Sequence, residues 1–268
     1  MNTLTHNQAT LKERQIRELD VSHSKIWIML PAYNEEAGLP SLLEKIFHVM
    51  DDRPAEYEVV VVDDASDDET ARVACQASFQ MPVRLVQHRE NQGLAGALRT
   101  GFDTVLGLAE PGDVMVTLDA DDTQQPGTIE RMLLMISEGY DVVIASRYQP
   151  GSRVVGVPFN RRVMTWFARL LFRTIIPIPG VRDYTCGFRA YRVDALREAS
   201  DHYGDSFVSE KGFSAMVDVL LKMRRFNFVM GEVPMLLRYD LKHGPSKMQV
   251  SRTARQTIKL LLKRRFEN

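Results

Sequence analysis

Tyr57-Glu58-Val59-Val60-Val61-Val62-Asp63-Asp64-Ala65-Ser66-Asp67 and Val114-Met115-Val116-Thr117-Leu118-Asp119-Ala120-Asp121-Asp122 are the two stretches that decide how this chain folds. Each is an apolar, largely β-branched run that stops abruptly at aspartates. A run without polar alternation suits a strand covered on both faces, as in a parallel sheet. Similar runs recur at Lys25 to Leu30, Val83 to Gln87 and Asp141 to Ser146. Between the runs lie helix-period segments, Glu36 to Met50, Asp68 to Ser78, Gly93 to Leu106 and Thr128 to Ser137. The βαβαβ rhythm predicts an α/β fold, with residues 25–146 as a doubly wound half. Ligands of such a sheet bind beyond the carboxyl ends of the strands. Three acidic or turn-forming loops are expected at that edge: Pro31-Ala32-Tyr33-Asn34-Glu35, Asp63 to Asp67, and Asp119 to Asp122.

Further along, the character changes. Seven arginines between Arg147 and Arg182 occur without an intervening acid, interleaved with Val163, Met164, Trp166, Phe167, Leu170, Leu171, Phe172, Ile175 and Ile176. A helix of this mix can lie in a headgroup interface, its arginines on phosphates, or pack its apolar side on the sheet. Beyond it, a strand is expected within Cys186 to Arg192, a helix near Glu210 to Arg224 and a strand around Phe226 to Val233. A basic tail carries Lys247, Arg252, Arg255, Lys259, Lys263, Arg264 and Arg265 around Ile258, Leu260, Leu261 and Leu262, a second candidate for anionic lipid or a partner helix. The expected organisation is an arm at 1–24, a domain at 25–240 that divides into 25–146 and 147–240, and the tail at 241–268.

With 268 residues, 44% hydrophobic and 26% charged, the chain can bury a sizeable core. Its 34 Lys+Arg balance 35 Asp+Glu, which excludes the global basic field of a nucleic-acid binder. Two distant cysteines and six scattered histidines give no disulfide framework or zinc spacing. The opening stretch has no basic region followed by an apolar run, and no window is long and apolar enough to span a bilayer. The expectation is a cytoplasmic protein that reaches a membrane peripherally.

Asp119 and Asp121, one residue apart at a strand end, suit a hard divalent ion that binds a diphosphate jointly with the protein. The competing structural account is a polar turn with a helix cap. Ser66-x-x-Glu69 fits a capping box, which accounts for Ser66 and Glu69 but leaves Asp63 and Asp64 available to a nucleobase or ribose. Asn91-Gln92-Gly93-Leu94-Ala95-Gly96 is neither GxGxxG nor a P-loop, and no GxSxG elbow is present.

Taken in order, Pro31 to Glu35, Val62 to Thr70, Asn91 to Leu94, Asp119 to Asp121, Ser146-Arg147-Tyr148, Cys186 to Arg192 and Gly244-Pro245-Ser246-Lys247 give the chain its resemblance to the family-2 glycosyltransferases of GT-A fold. Within them it resembles the dolichyl-phosphate mannose synthase-like branch. The resemblance implies that Pro31, Tyr33, Glu35, Val62 and Asp64 surround the nucleotide. It also implies that Asp119, Ala120 and Asp121 meet the ribose and diphosphate, with Asp121 the main ligand to Mg²⁺ or Mn²⁺. Arg147 and Lys247 match phosphate-binding positions, and Arg161 lies where the branch binds a lipid phosphate. Three departures stand out: Thr123 replaces a frequent Gln or Ser, Leu241 replaces an arginine whose charge Lys242 or Arg238 would supply, and the residues after Tyr148 lack a glycine-rich run and a Trp.

The implied reaction is inverting transfer of a hexose from GDP-mannose or a UDP-hexose to a polyprenyl phosphate at an anionic membrane surface or beside a small membrane partner. One alternative is a sugar-hydroxyl acceptor with Glu210 as base; another is a membrane-binding protein on the same scaffold without turnover.

Overall fold

A computed structural model describes residues 20–51, 53, 55–157, 170–242 and 260–261. The first half runs β1 (Ile26–Ala32), α1 (Leu39–Asp51), β2 (Tyr57–Asp63), α2 (Thr70–Ala77), β3 (Val83–Gln87), α3 (Gly93–Leu108), β4 (Val114–Thr117), α4 (Thr128–Ser137) and β5 (Val142–Ser146). The second half adds β6 (Arg153–Val155), β7 (Arg189–Arg192), α5 (Val193–Tyr203), α6 (Ser214–Met223), β8 (Met230–Pro234) and β9 (Leu236–Arg238). A seven-stranded sheet has the order β3-β2-β1-β4-β7-β5-β8, and β6 with β9 forms a separate two-stranded ribbon. The fold is the mixed α/β one that the strand rhythm predicts.

Burial explains the apolar runs. β4 and β5 are buried along their whole lengths, and β2 is buried from Val59 onward, because helices cover both faces of the sheet. The amphipathic helices turn Leu39, Leu42, Leu43 and Ile46 of α1 and Ile129, Met132, Leu133 and Ile136 of α4 into that core. At the opposite edge from the acidic loops, buried Asp113 accepts from the Trp27 indole at 2.9 Å and from the Lys25 amide at 3.0 Å, which pins the start of β1 to the start of β4.

Differences from the sequence reading concentrate in the second half. β7 runs antiparallel to both of its neighbours and separates β4 from β5. Strand direction is a long-range property, and nothing local to Arg189–Arg192 encodes it. The helix expected from Glu210 begins only at Ser214, after Gly212 at φ 58°, and the strand expected from Phe226 begins at Met230. β6, α5 and β9 have no counterpart in that reading. In the arginine-rich segment, Phe172, Ile176 and Ile178 are buried, and Phe172 stacks on Tyr184 at 4.9 Å. The described part of that segment therefore packs its apolar side on the protein, and Leu260 and Leu261 of the tail are buried too. Residues 1–19 of the arm expected at 1–24, residues 158–169 with Arg161, and Lys247 lie outside the described residues. Among the described residues no helix is long and apolar enough to cross a membrane.

Candidate active site

The register brings the acidic loops to one edge. Ala32 pairs with Asp63, and Met29 pairs with Thr117, after which the Leu118 amide still donates to the Met29 carbonyl at 3.2 Å. Asp119 therefore sits at the carboxyl edge beside the loops that follow β1 and β2. β7 begins at the same edge, with Arg189 opposite Thr117, so Gly187 lies against Asp119.

The β1 and β2 loops hold each other. The Asn34 amide donates to Ser66 Oγ at 2.9 Å, and the Asp67 amide donates to Asn34 Oδ1 at 2.9 Å. The Glu35 amide donates to Thr70 Oγ1 at 2.8 Å, and the Glu69 amide donates to Glu36 Oε2 at 2.9 Å. Asn34 and Ala65 adopt left-handed backbone, φ 51° and 57°, to make this stitching possible. These bonds correct the expected capping box: α2 starts at Thr70 without a side-chain cap, and Ser66 instead serves Asn34 and Asp63. Asp63 is fully buried and accepts from Ser66 and from Gln87 Nε2 at 3.0 Å, so it shapes the loop and is withdrawn from any ligand.

Of the residues expected around a nucleotide, Pro31, Tyr33 and Glu35 are half-buried at this edge. Val62 is fully buried within β2 opposite Pro31, a packing position that does not present its side chain to the edge. Asp64 Oδ1 accepts from the Gln92 amide at 2.8 Å and contacts His88 Nδ1 at 2.7 Å. His88 Nε2 lies 2.8 Å from Thr100 Oγ1. A neutral imidazole with its proton on Nδ1 satisfies both contacts, donating to Asp64 and accepting from Thr100. His88, one of six scattered histidines in the sequence, is thus a positioning partner of Asp64 that spacing alone did not reveal. Gly93, at φ 72°, allows the turn from this contact into α3.

The β4 loop carries the carboxylate pair. Asp119 Oδ2 accepts from Gln124 Nε2 at 2.7 Å, and Gln124 Oε1 accepts from the Asp119 amide at 3.0 Å. Asp121 Oδ1 accepts from Thr123 Oγ1 at 2.7 Å, and Asp121 Oδ2 pairs with the Lys242 ammonium. Asp122, in left-handed backbone at φ 58°, accepts Lys45 Nζ at 2.6 Å and so ties the loop to α1. Gly38 approaches the Asp121 main chain so closely that an added Cβ would lie 3.1 Å from its carbonyl carbon. Ala120 is buried. Burial, then the neighbouring Asp121, push the Asp119 carboxyl up to about 7. Burial works against the Lys242 charge, but Asp121 beside it raises the pKa above the usual lysine range. Of the two cations that could supply charge near Leu241, Lys242 reaches the site, while Arg238 pairs with exposed Asp240 at 2.8 Å.

Two crowded carboxylates want a cation, and an all-oxygen pair suits Mg²⁺ or Mn²⁺. No third His, Cys, Asp or Glu groups with them among the described residues, so further ligands would come from solvent or a bound diphosphate.

Arg147 follows β5 at the same edge. Its Nε donates to Asp183 Oδ2 at 2.7 Å, and its Nη2 donates to Asp183 Oδ1 at 2.6 Å and to Thr185 Oγ1 at 2.5 Å. Burial opposes ionisation of Asp183, but Arg147 outweighs it and holds the carboxyl below the ordinary range. Glu232 Oε1 on β8 accepts the Arg182 and Asp183 amides, each at 2.6 Å. Asp183 and Glu232 escaped the sequence reading because their only signal is a partner far along the chain. Burial pushes the Cys186 thiol up to about 12, which excludes it as a thiolate nucleophile at neutral pH. Glu210 is half-buried, in a loop fixed from below by Lys222, whose Nζ donates to Ser209 Oγ at 2.9 Å and to Asp218 Oδ2 at 2.6 Å.

Residues 27–199 match the model of "Glycosyl transferase family 2". The chain belongs to that family. It is a glycosyltransferase, and the family's region spans the sheet from β1 to α5. A "Polyprenol monophosphomannose synthase" of Mycolicibacterium smegmatis is 33% identical over 226 residues, 84% of this chain and 81% of that protein. An "Undecaprenyl-phosphate mannosyltransferase" of Micrococcus luteus is 35% identical over 225 residues, 84% of this chain and 87% of that protein. Among solved structures, glucosyl-3-phosphoglycerate synthase of Mycobacterium tuberculosis, in complex with Mn²⁺, UDP and glucosyl-3-phosphoglycerate, has a TM-score of 0.67 at 21% identity, covering 93% of this chain and 84% of that one. That likeness shows the fold.

Proposed function

We propose that this glycosyltransferase moves a hexose from a nucleotide diphosphate sugar, GDP-mannose or a UDP-hexose, to a polyprenyl phosphate, with inversion at the anomeric carbon. The observation that carries the reading is the meeting, at one sheet edge, of a half-buried carboxylate pair and a fixed arginine. Such an arrangement suits a reaction whose two substrates are both anionic. The two mannosyltransferase relatives support the acceptor class by their names.

The acceptor phosphate is largely ionised near neutrality, its second pKa being about 6 by analogy with phosphoryl side chains, so no strong base is required. One phosphate oxygen attacks the anomeric carbon as the bond from that carbon to the donor diphosphate breaks, and the nucleoside diphosphate leaves with the electron pair. Asp119 and Asp121 would hold Mg²⁺ or Mn²⁺, which when bound offsets charge on the departing diphosphate. Pro31, Tyr33, Glu35 and Asp64 line the nucleotide side, with Asp64 fixed by His88. Arg147, together with Arg161 and Lys247, positions the phosphates, and Lys242 adds a cation next to Asp121. The lipid is reached peripherally, at an anionic surface or beside a small membrane partner.

A second reading, transfer to a sugar hydroxyl with Glu210 as base, draws on the clamp that Lys222, Asp218 and Ser209 place beneath the Glu210 loop. Nucleotide release from GDP- and UDP-sugars with Mn²⁺ or Mg²⁺, measured with and without a polyprenyl phosphate, separates the two. Release that depends on the lipid phosphate and vanishes in Asp121→Ala supports the first. Donor binding without lipid-dependent turnover, and activity lost in Glu210→Gln with a soluble sugar acceptor, supports the second.

A further inference from the structure

Asp183 has 1% of its surface exposed and is bonded to Arg147 through three nitrogens: Nε at 2.7 Å, Nη2 at 2.6 Å and the main-chain amide at 3.1 Å. A planar guanidinium held edge-on by a carboxylate has one orientation. Nη2 also meets Thr185 Oγ1, so the edge carrying Nη1 is the part of the fork outside this bonding. The carboxylate is itself anchored, because Glu232 on β8 takes the amides of Arg182 and Asp183. Three stretches far apart in sequence thus meet at Asp183: the end of β5 through its carboxylate, the approach to β7 that carries it, and β8 through its main-chain amide.

Stability alone is a poor reason for this arrangement, since a buried ion pair often gives no net gain over well-packed apolar residues. Its physical effect is to remove the rotamer freedom of a long side chain before a ligand arrives. We propose that Asp183 is a positioning residue that presents the Nη1 edge of Arg147 to a phosphate oxygen. The inference rests on the reading of Arg147 as a phosphate-binding residue. It adds that Arg147 offers a phosphate a single edge, and that its aim is set by a carboxylate that touches no substrate.

The test is a double-mutant cycle on the full chain, with Arg147→Met, Asp183→Asn and the double variant. The measured quantities are kcat, KM for the nucleotide sugar and KM for the polyprenyl phosphate, with a thermal melt of each protein. Arg147→Met raises one phosphate-bearing substrate's KM, and which of the two identifies the phosphate as the donor's or the acceptor's. Asp183→Asn should raise that same KM roughly tenfold and leave the other unchanged, as expected for a displaced positioning group. In the Arg147→Met background it should add nothing. An equal effect of Asp183→Asn in both backgrounds, or a rise in the other KM, overturns the proposal. If Arg147→Met leaves both KM values unchanged, the phosphate-binding reading fails and the proposal falls with it. Should Asp183→Asn not fold, Thr185→Val takes its place in the cycle, since it removes the Oγ1 contacts with Arg147 Nη2 and Asp183 Oδ1 and leaves the paired bonds between Arg147 and Asp183 in place. A rise of about threefold in the same KM, confined to the Arg147 background, is then expected, and no change overturns the proposal.

Discussion

The carboxylate loops after β1, β2 and β4 and the arginine that follows β5 stand at the same sheet edge but are built in opposite ways. The β1 and β2 loops brace each other through short side chains and main-chain amides, Asn34 with Ser66 and Asp67, Glu35 with Thr70, and Glu36 with Asp68 and Glu69. The β4 loop turns back on itself through Gln124 and Thr123. Arg147 depends instead on Asp183, 36 positions later, and through it on Glu232, a further 49. Bracing by several bonds tolerates the loss of any one, because the others remain. A single buried fork does not, so the two regions should answer mutation differently.

The sharpest way to break this comparison is at Asp121. Asp121→Asn removes half of the carboxylate pair, and turnover should fall by about a thousandfold, with Mn²⁺ binding followed by paramagnetic resonance weakened in parallel. An intact Mn²⁺ signal in that variant would show that the pair does not hold the ion.

Asp183→Asn should cost about 2 kcal/mol of stability at neutral pH, because it leaves the half-buried Arg147 charge with a poorer partner. The sign with pH follows from the depressed carboxyl. The contribution is present above the ordinary carboxylate range near 4 and is lost as the pH falls through the lower, folded-state value. Denaturant unfolding should therefore show a wide gap between wild type and variant at pH 7 and a narrower one near pH 3. By contrast Ser66→Ala, in the braced loops, should cost roughly 1 kcal/mol.

Lys242→Gln sharpens the comparison at the point where the two regions meet. Losing the ammonium beside Asp121 should slow transfer roughly tenfold, while Mn²⁺ alone binds several times more tightly because a competing cation is gone. Weaker Mn²⁺ binding would argue that Lys242 orders the carboxylates rather than competing for them. The smallest effect is expected at His88. His88→Ala frees one contact of Asp64 but leaves the Gln92 amide on it, so KM for the nucleotide sugar should rise about threefold with kcat unchanged.

How much was legible in sequence follows the same division. Strands β1 to β5 and helices α1 to α4 appear within a few residues of their expected positions; burial on both faces writes β1, β2, β4 and β5 as apolar runs and helix packing writes a 3.6-residue period, whereas β3, at the edge of the sheet, has no fully buried residue. The clustering of Asp64, Asp119 and Asp121 at one edge also followed, from the rule that places ligand loops at strand ends. Individual roles did not. Asp63 and Asp64 are adjacent and chemically identical, yet one is enclosed by Ser66 and Gln87 and the other is held by His88 and Gln92. Asp113, Asp183 and Asp218 read as ordinary acids, and each proves to be buried with a dedicated partner.

The amino-acid sequence by itself determined the α/β class, the strand ends that bear acids and the family of the chain, since all three rest on local pattern and ordered motifs. Only the tertiary structure decided that β7 enters antiparallel between β4 and β5, that Lys242 rather than Arg238 meets Asp121, and that Asp183 bonds Arg147. The reason is physical. Periodicity and turn chemistry act over a few residues, whereas the energy of a buried charge depends on which distant group completes its hydrogen bonds.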